Sequence, residues 1–280
     1  MPRRARYPSD LTDAEWALVA PLVPAPAKDG RKPKHRARDL VDAILYVART
    51  GCAWRALPAD FPPWQTVYFY FARWHDAGVT RTLHDALRGQ VRAAAGRNAE
   101  PTAGTIDSQS VQGADTVGRG SRGYDAGKKA NGRKRFLVTD TLGLVLVVMV
   151  CSAAVQDRDG ARTTLLTLYL RHRRIRHIFA DGGFAGALLA WATTLLKITV
   201  EVVRKPAGQR GFQVLPRRWV VERTLAWLTA HRRLACDYER HPAHSEAFIY
   251  WAMIGTMTRR LARGRPATRP GQRPLQRTSA

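Results

Sequence analysis

"FLVTDTLGLVLVVMVCSAAV", residues 136–155, is the most hydrophobic run of the chain, and its reading decides the fold. A helix needs about 20 apolar residues to cross a bilayer, and this run is long enough. Its first half argues otherwise. Asp140, Gly143 and the threonines at 139 and 141 interrupt it, "TDTLG" has turn chemistry, and the remainder is rich in β-branched valine. The pattern predicts a buried β-hairpin instead of a membrane span.

Around that hairpin the periodicity alternates. "TAGTIDSQSV" (102–111) reads as a strand before it, and "DRDGARTTLLTLYLRHR" (157–173) as a helix after it. "RIRHIFADGGF" (174–184) is then a strand, "AGALLAWATTLL" (185–196) a helix and "ITVEVVRKP" (198–206) a strand; "RRWVVERTLAWLTAHRRLACDYER" (217–240) reads as one long helix. Three strands in a meander followed by alternating helix and strand imply an α/β fold, a mixed sheet flanked by helices.

From Leu11 to about Arg97 only helical patterns fit. "SDLTDAEWALVAPLV" (9–23) predicts a helix capped by Ser9 or Asp10, and "DLVDAILYVARTG" (39–51) one closed by Gly51. These are the marks of a small all-helical N-terminal domain, related to helix-turn-helix or serving dimerisation. The small and polar "AAAGRNAEP" (93–101) sets a boundary, giving residues 1–97 as the helical domain and 98–258 as the sheet domain. Residues 259–280, "RRLARGRPATRPGQRPLQRTSA", hold seven arginines, three prolines and no acid, and predict a disordered basic tail.

Forty-six lysines and arginines stand against 22 acids, a formal net charge of +24, which points to a polyanion partner, nucleic acid ahead of a ribosome-like scaffold or an anionic membrane surface. Three scattered cysteines without a CxxC pair argue for a reducing cytoplasm and against structural zinc, and the charged N-terminus lacks the apolar stretch of a signal peptide. The basic loop after the first strand contains "GRGSRG" (118–123), a GxGxxG in letter only; its lysines and arginines, Lys128, Lys129, Arg133, Lys134 and Arg135, are expected to grip DNA phosphates. His172 and His177, amid arginines, are expected to face solvent or phosphate, and the tryptophans at 16, 54, 64 and 74 to pack in the core.

In so basic a chain an acid at a strand end asks for a reason. Asp107 follows "AGTI", Asp181 follows "HIFA" and precedes a Gly-Gly that allows a sharp turn, and both therefore face the sheet edge where α/β folds build sites. Glu222 falls on a helical stripe with Arg218, Ala226, Thr229 and Arg233, beside an apolar stripe of Val221, Leu225 and Leu228. Three carboxylates can hold two divalent cations about 4 Å apart, the pair that serves phosphodiester displacement. The simpler readings stand beside this: a strand-end aspartate often caps a turn, and Glu222 can pair with Arg218 at i, i+4. Asp140, Asp157 and Asp159 are rivals, placed respectively in the hairpin turn and at a helix start.

The chain also resembles the DDE-type transposases of bacterial insertion sequences, in particular the insertion sequence five family. The resemblance rests on "LTDAEWALVAPLVP", "GCAWRALPADFPPWQTVYFYFARW", "TIDSQSV", "GYDAGKKANGRKRFLVTDTLGLVL", "FADGGFAG" and "RRWVVERTLAWLTAHRRLACDYE", in that order over nearly the whole length. It implies an RNase H-like catalytic domain and a triad at Asp107, Asp181 and Glu222 holding two Mg²⁺ or Mn²⁺ ions. It further implies cleavage at the element ends, joining of the freed 3′-OH to target DNA, and a homodimer on DNA. Of the Tyr, Arg, Glu, Lys pattern around the family's glutamate, this chain keeps Arg218 and Glu222 but has Leu215 and Thr229 at the other two positions. Arg218 would hold a phosphate, and the lysine's DNA contact would pass to Arg232 or Arg233. The alternatives are a nuclease of the same fold that never joins, and a noncatalytic DNA-binding derivative.

Overall fold

A computed structural model describes residues 6–25, 32–203 and 218–264. Four helices come first: α1 (Asp13–Val19), α2 (Ala37–Thr50), α3 (Trp64–Asp76) and α4 (Val79–Ala94). Helix α1 is capped by Thr12 in a reciprocal box with Glu15, not by the expected Ser9 or Asp10. The Asp10 carboxylate instead accepts from the amides of Arg6 and Tyr7. Gly51 ends α2 as expected, in the left-handed conformation at φ 74°.

The sheet follows: β1 (Ala103–Gln112), β2 (Gly123–Asp125), β3 (Ala130–Asp140), β4 (Val145–Ser152), β5 (His177–Ala180) and β6 (Thr199–Val202). Between them lie α5 (Asp157–Arg171) and α6 (Ala187–Trp191), and α7 (Trp219–Thr229) and α8 (Pro242–Arg263) close the described chain. Strand β3 pairs antiparallel with β1 and, on its other edge, with β4 and the short β2; β5 and β6 then run parallel to β1. This is the mixed, RNase H-like sheet, four antiparallel strands, the short β2 among them, joined to two parallel ones.

The decisive run is a hairpin. The Asp140 carboxylate accepts the amides of Leu142 and Leu144, and Gly143 takes φ 81° to turn the chain. Its unbroken hydrophobicity has a simple cause. Along β3 and β4, Phe136, Val138, Leu146 and Val147 pack with α5 and α6, whereas Leu137, Val145, Val148 and Val150 pack on the opposite face with α8 and the N-terminal helices. Both faces are covered, so the alternation of apolar and polar residues that marks a half-exposed strand is absent. Among the described residues no helix is long and apolar enough to cross a membrane.

Helix α8 was not foreseen, and it is the longest helix among the described residues. It is apolar nearly all round, with Phe248, Ile249, Tyr250, Trp251, Met253 and Ile254 all buried, because it is surrounded. On one side it packs on α1, α2, α3 and α4, and on the other on β4. One core thus runs from Val41, Ile44 and Phe71 of the N-terminal helices through α8 to Leu137 and Val148 of the sheet. The expected basic tail begins too early at 259, since α8 continues to Arg263 and stops at Gly264; residues 265–280 lie outside the described chain, as does Leu215.

The long helix expected over 217–240 is also shorter. Helix α7 ends at Thr229, and the chain then makes a turn at Arg232–Leu234. Asp237 beyond it bonds to the end of β1, donating its amide to the Gln112 carbonyl and accepting from the Ala114 amide.

Candidate active site

Strand β1 runs through Asp107 to Gln112 along β3, so Asp107 stands inside the strand and not at its end as expected. The parallel partner is much shorter: β5 pairs with β1 only at Ala103, Gly104 and Thr105. Two residues further in that register are Asp107 on β1 and Asp181, which follows the last residue of β5. The two aspartates therefore meet where the parallel strands part. Ile106 packs with α5, so Asp107 points to the opposite face, where α7 lies.

Local chemistry fixes both. Asp107 Oδ1 accepts the Ser108 amide at 2.7 Å. Asp181 caps the tight turn Gly182–Phe184, its Oδ1 accepting the Gly183 amide at 2.9 Å. Burial, reinforced by the nearby Asp181 charge, pushes the Asp107 carboxyl up to about 6, against the opposing pull of the Ser108 amide, Lys128 and Arg218.

Helix α7 is anchored beside them by the hairpin turn. Thr224 Oγ1 donates to the Gly143 carbonyl at 2.7 Å and Arg223 Nη2 to that of Leu142 at 3.0 Å. A Cβ on Gly143 would stand 2.8 Å from Thr224 Oγ1, so glycine permits the approach as well as the turn. Arg223 itself is sandwiched between Trp219 and Trp227. Of the expected apolar stripe, Val221 and Leu228 are buried and Leu225 packs on the same core. The stripe of Glu222 is half-exposed, and Glu222 is held by Arg218, whose Nη2 and Nε reach Oε1 at 2.7 and 3.2 Å. The charges of Asp107 and Asp181 act on the same guanidinium and, with Glu222, hold Arg218 above its ordinary value against the cost of burial.

The structure thus brings Asp107 and Asp181 together and places Glu222 on the neighbouring helix, tied to Arg218. Among the described residues no group of three or more His, Cys, Asp or Glu is arranged to hold a metal ion. The aspartate pair does suit a divalent cation. It offers carboxylate oxygens, the donors that hard cations prefer, one of them desolvated against a like charge, and a Cβ on the adjacent Gly182 would meet nothing within 4 Å.

The expected DNA contacts divide sharply. Lys128 and Lys129 are exposed at the tip of the β2–β3 hairpin, and Arg232 is exposed after α7. Arg133, Lys134 and Arg135 are not available as placed: they belong to β3 and are buried. Arg133 pairs with Asp237 and donates to the Glu239 and Arg240 carbonyls, Arg135 donates to the Leu234 carbonyl, and Lys134 lies between Asp125 and Asp157. Arg233 is likewise buried, against Glu239 and the Cys52 carbonyl, so it does not continue the Glu222 stripe. His172 is buried too, against Leu146 O and Glu100, and only His177, paired with Glu201, is partly exposed. Of the four tryptophans expected in the core, Trp74 is buried, Trp16 and Trp54 pack against it from its edge, and Trp64 lies under Arg55. Of the rival acids, Asp140 is buried and pairs with Arg92. Asp157 accepts from Ser108 Oγ at 2.9 Å, placing it next to the site by a route no local spacing announced.

A mixed sheet of this topology, with a helix beside the point where its parallel strands diverge, is that of the RNase H-like class of folds. Residues 98–256 match the family model of the transposase DDE domain, and residues 11–84 match DUF4096, described as a transposase family of the IS4/5 type. The chain belongs to the DDE transposases of insertion sequences. It is 32% identical over 119 residues to the insertion element IS402 uncharacterized 16.2 kDa protein of Burkholderia cepacia, a match covering 40% of this chain and 77% of that one. It is 35% identical over 69 residues to the uncharacterized protein y4sN of Sinorhizobium fredii (strain NBRC 101917 / NGR234), covering 25% of this chain and 55% of the relative. A domain of this family implies dependence on divalent metal in general.

Proposed function

We propose that this chain is the transposase that cuts the ends of its own insertion sequence and joins them to target DNA, with Asp107, Asp181 and Glu222 as the catalytic acids. The observation that carries the reading is the meeting of Asp107 and Asp181 at the parting of β1 and β5, with α7 holding Glu222 on the same face. Two bound Mg²⁺ or Mn²⁺ ions would supply a nucleophile at neutral pH and neutralise charge on the attacking and leaving oxygens.

The chain's own residues do the rest. Asp107 and Asp181 would hold the cations, and the open space at Gly182 leaves room for the sugar-phosphate backbone. Arg218 is a bidentate phosphate ligand by chemistry, and in the DNA-free protein Glu222 takes that place. DNA phosphate exchanges for the carboxylate, and the freed Glu222 completes the acid set. Lys129 and Arg232 add backbone contacts, as does the tail beyond Arg263 by its composition. The N-terminal helices bind DNA or pair subunits, since two element ends call for a dimer on DNA.

The test uses a plasmid carrying a marker between the DNA segments that border the coding sequence. With Mg²⁺ the protein is expected to cut at the borders and join them to a second plasmid; Glu222→Gln abolishes both steps and retains DNA binding. Nicks without joined product would refute the transposase reading in favour of a nuclease, and normal cutting by Glu222→Gln would refute the site. Sizing of the DNA complex checks the dimer.

A further inference from the structure

Lysines at hairpin tips ordinarily wave in solvent, because fixing so long a side chain costs rotamer entropy. Lys128 is exposed, yet it is fixed at both ends. Its amide donates to Asp125 Oδ1 at 3.1 Å, closing the turn between β2 and β3. Asp125 is in turn gripped by Ser110 Oγ at 2.6 Å and by Lys134 at 3.2 Å, contacts that hold its carboxyl down at about 2. From that turn the side chain folds back, and Nζ donates to the Ser108 carbonyl at 2.8 Å and contacts Ser108 Oγ at 3.0 Å.

Ser108 is also the residue whose amide holds Asp107. The N–H and C=O of one strand residue point to the same side, so the Asp107 carboxylate and the Lys128 ammonium hang from the same edge of β1. It is the edge that β5 leaves open after Thr105. Lys128 thus stands on the open edge of β1 beside Asp107, near enough for its charge to act on that carboxyl, so that a phosphodiester held at Asp107 comes within its reach if Asp107 is catalytic. On the stripe of Glu222, Thr229 carries no charge and Arg233 further on is buried, so neither offers a cation here.

We propose that Lys128 is a catalytic residue: its ammonium leaves Ser108 for a non-bridging oxygen of the phosphodiester held at Asp107 and offsets the charge that builds there during displacement. It keeps its proton throughout and forms no covalent bond. This rests on the catalytic reading of Asp107 and assigns Lys128 a role in rate, where a general phosphate grip would give it a role in affinity.

The experiment compares the full-length wild type with Lys128→Met and Lys128→Arg on a labelled duplex of the DNA bordering the coding sequence. Single-turnover cleavage at saturating protein gives the rate, and fluorescence anisotropy gives affinity and its salt dependence. Lys128→Met is expected to cut roughly 10²- to 10³-fold more slowly, as when one charge-stabilising donor is removed. Its affinity should fall less than about threefold, its salt slope change by no more than about one, and Lys128→Arg should recover most of the rate. Lys128→Met cutting at the wild-type rate overturns the proposal, and so does a rate loss that appears only below saturating protein. If methionine disturbs the turn, seen as a lowered melting temperature, Lys128→Gln carries the same test. A wild type that never cuts refutes the catalytic reading of Asp107 and Lys128's role with it, whereas an active wild type with an unimpaired Lys128→Met removes the lysine alone.

Discussion

Asp107→Asn should stabilise the metal-free protein, and the size of the gain follows from the site. The Asp107 carboxyl stands at about 6 in the folded chain against an ordinary 3.8. At 1.36 kcal/mol per unit, keeping this group charged costs the fold roughly 3 kcal/mol. The sign is that of an acid whose folded value is raised. Below about pH 4 both folded and unfolded chains hold the proton and there is no cost. As pH rises from about 4 to about 6 the unfolded chain loses its proton first, so stability falls, and above about 6 the full cost is present. An asparagine keeps an oxygen for the Ser108 amide and has nothing to ionise. Urea unfolding of both proteins in EDTA, read as a difference so that other titrating groups cancel, should show near equality at about pH 4 and the variant ahead by up to roughly 3 kcal/mol at about pH 7.5. Mg²⁺ should raise the stability of the wild type at about pH 7.5 and leave the variant nearly unchanged. A difference curve that is flat with pH would refute the account of Asp107 as a desolvated carboxylate beside a like charge.

Three further outcomes are expected. Gly143→Ala places a Cβ 2.8 Å from Thr224 Oγ1 at φ 81°, and should cost about 1–2 kcal/mol in urea unfolding while slowing DNA cleavage, because α7 and Glu222 lose their seat. Arg133→Met leaves Asp237 charged and buried, and should cost about 3–5 kcal/mol; DNA affinity at native temperatures should not change, which anisotropy would check against the contrary expectation of a phosphate contact. Trp251→Ala in α8 should cost about 3–5 kcal/mol and melt the N-terminal helices and the sheet in one transition, measurable by calorimetry, since its ring packs on Trp74 within the shared core.

The hairpin was legible because Asp140 and Gly143 carry turn chemistry that survives any context. Asp107 and Asp181 were legible because acids stand out in so basic a chain. The span of β1 was legible too, 102–111 against the observed Ala103–Gln112, but the place of Asp107 within it was not, since the pairing with β3 beyond it and the end of the pairing with β5 at Thr105 are tertiary facts. The end of α7 carries no glycine or proline, and nothing local reveals that Asp237 must reach back to β1 and to Arg133. The buried arginines were the hardest to read. An arginine-rich stretch in a protein of charge +24 invites a nucleic acid, and the carboxylates that neutralise Arg133 and Arg233 are Asp237 and Glu239, the first more than a hundred residues away from Arg133. Gathering acids in a basic chain thus has a second reason besides metal binding, namely to let arginines be buried.

Helix α8 sets an order of events. The apolar faces of the first four helices find their cover only when residues up to Arg263 exist, so during synthesis they wait on the ribosome for a segment that begins only at Pro242, long after Ala94. A transposase chain cut short before α8 would leave that apolar surface bare, for proteases to find.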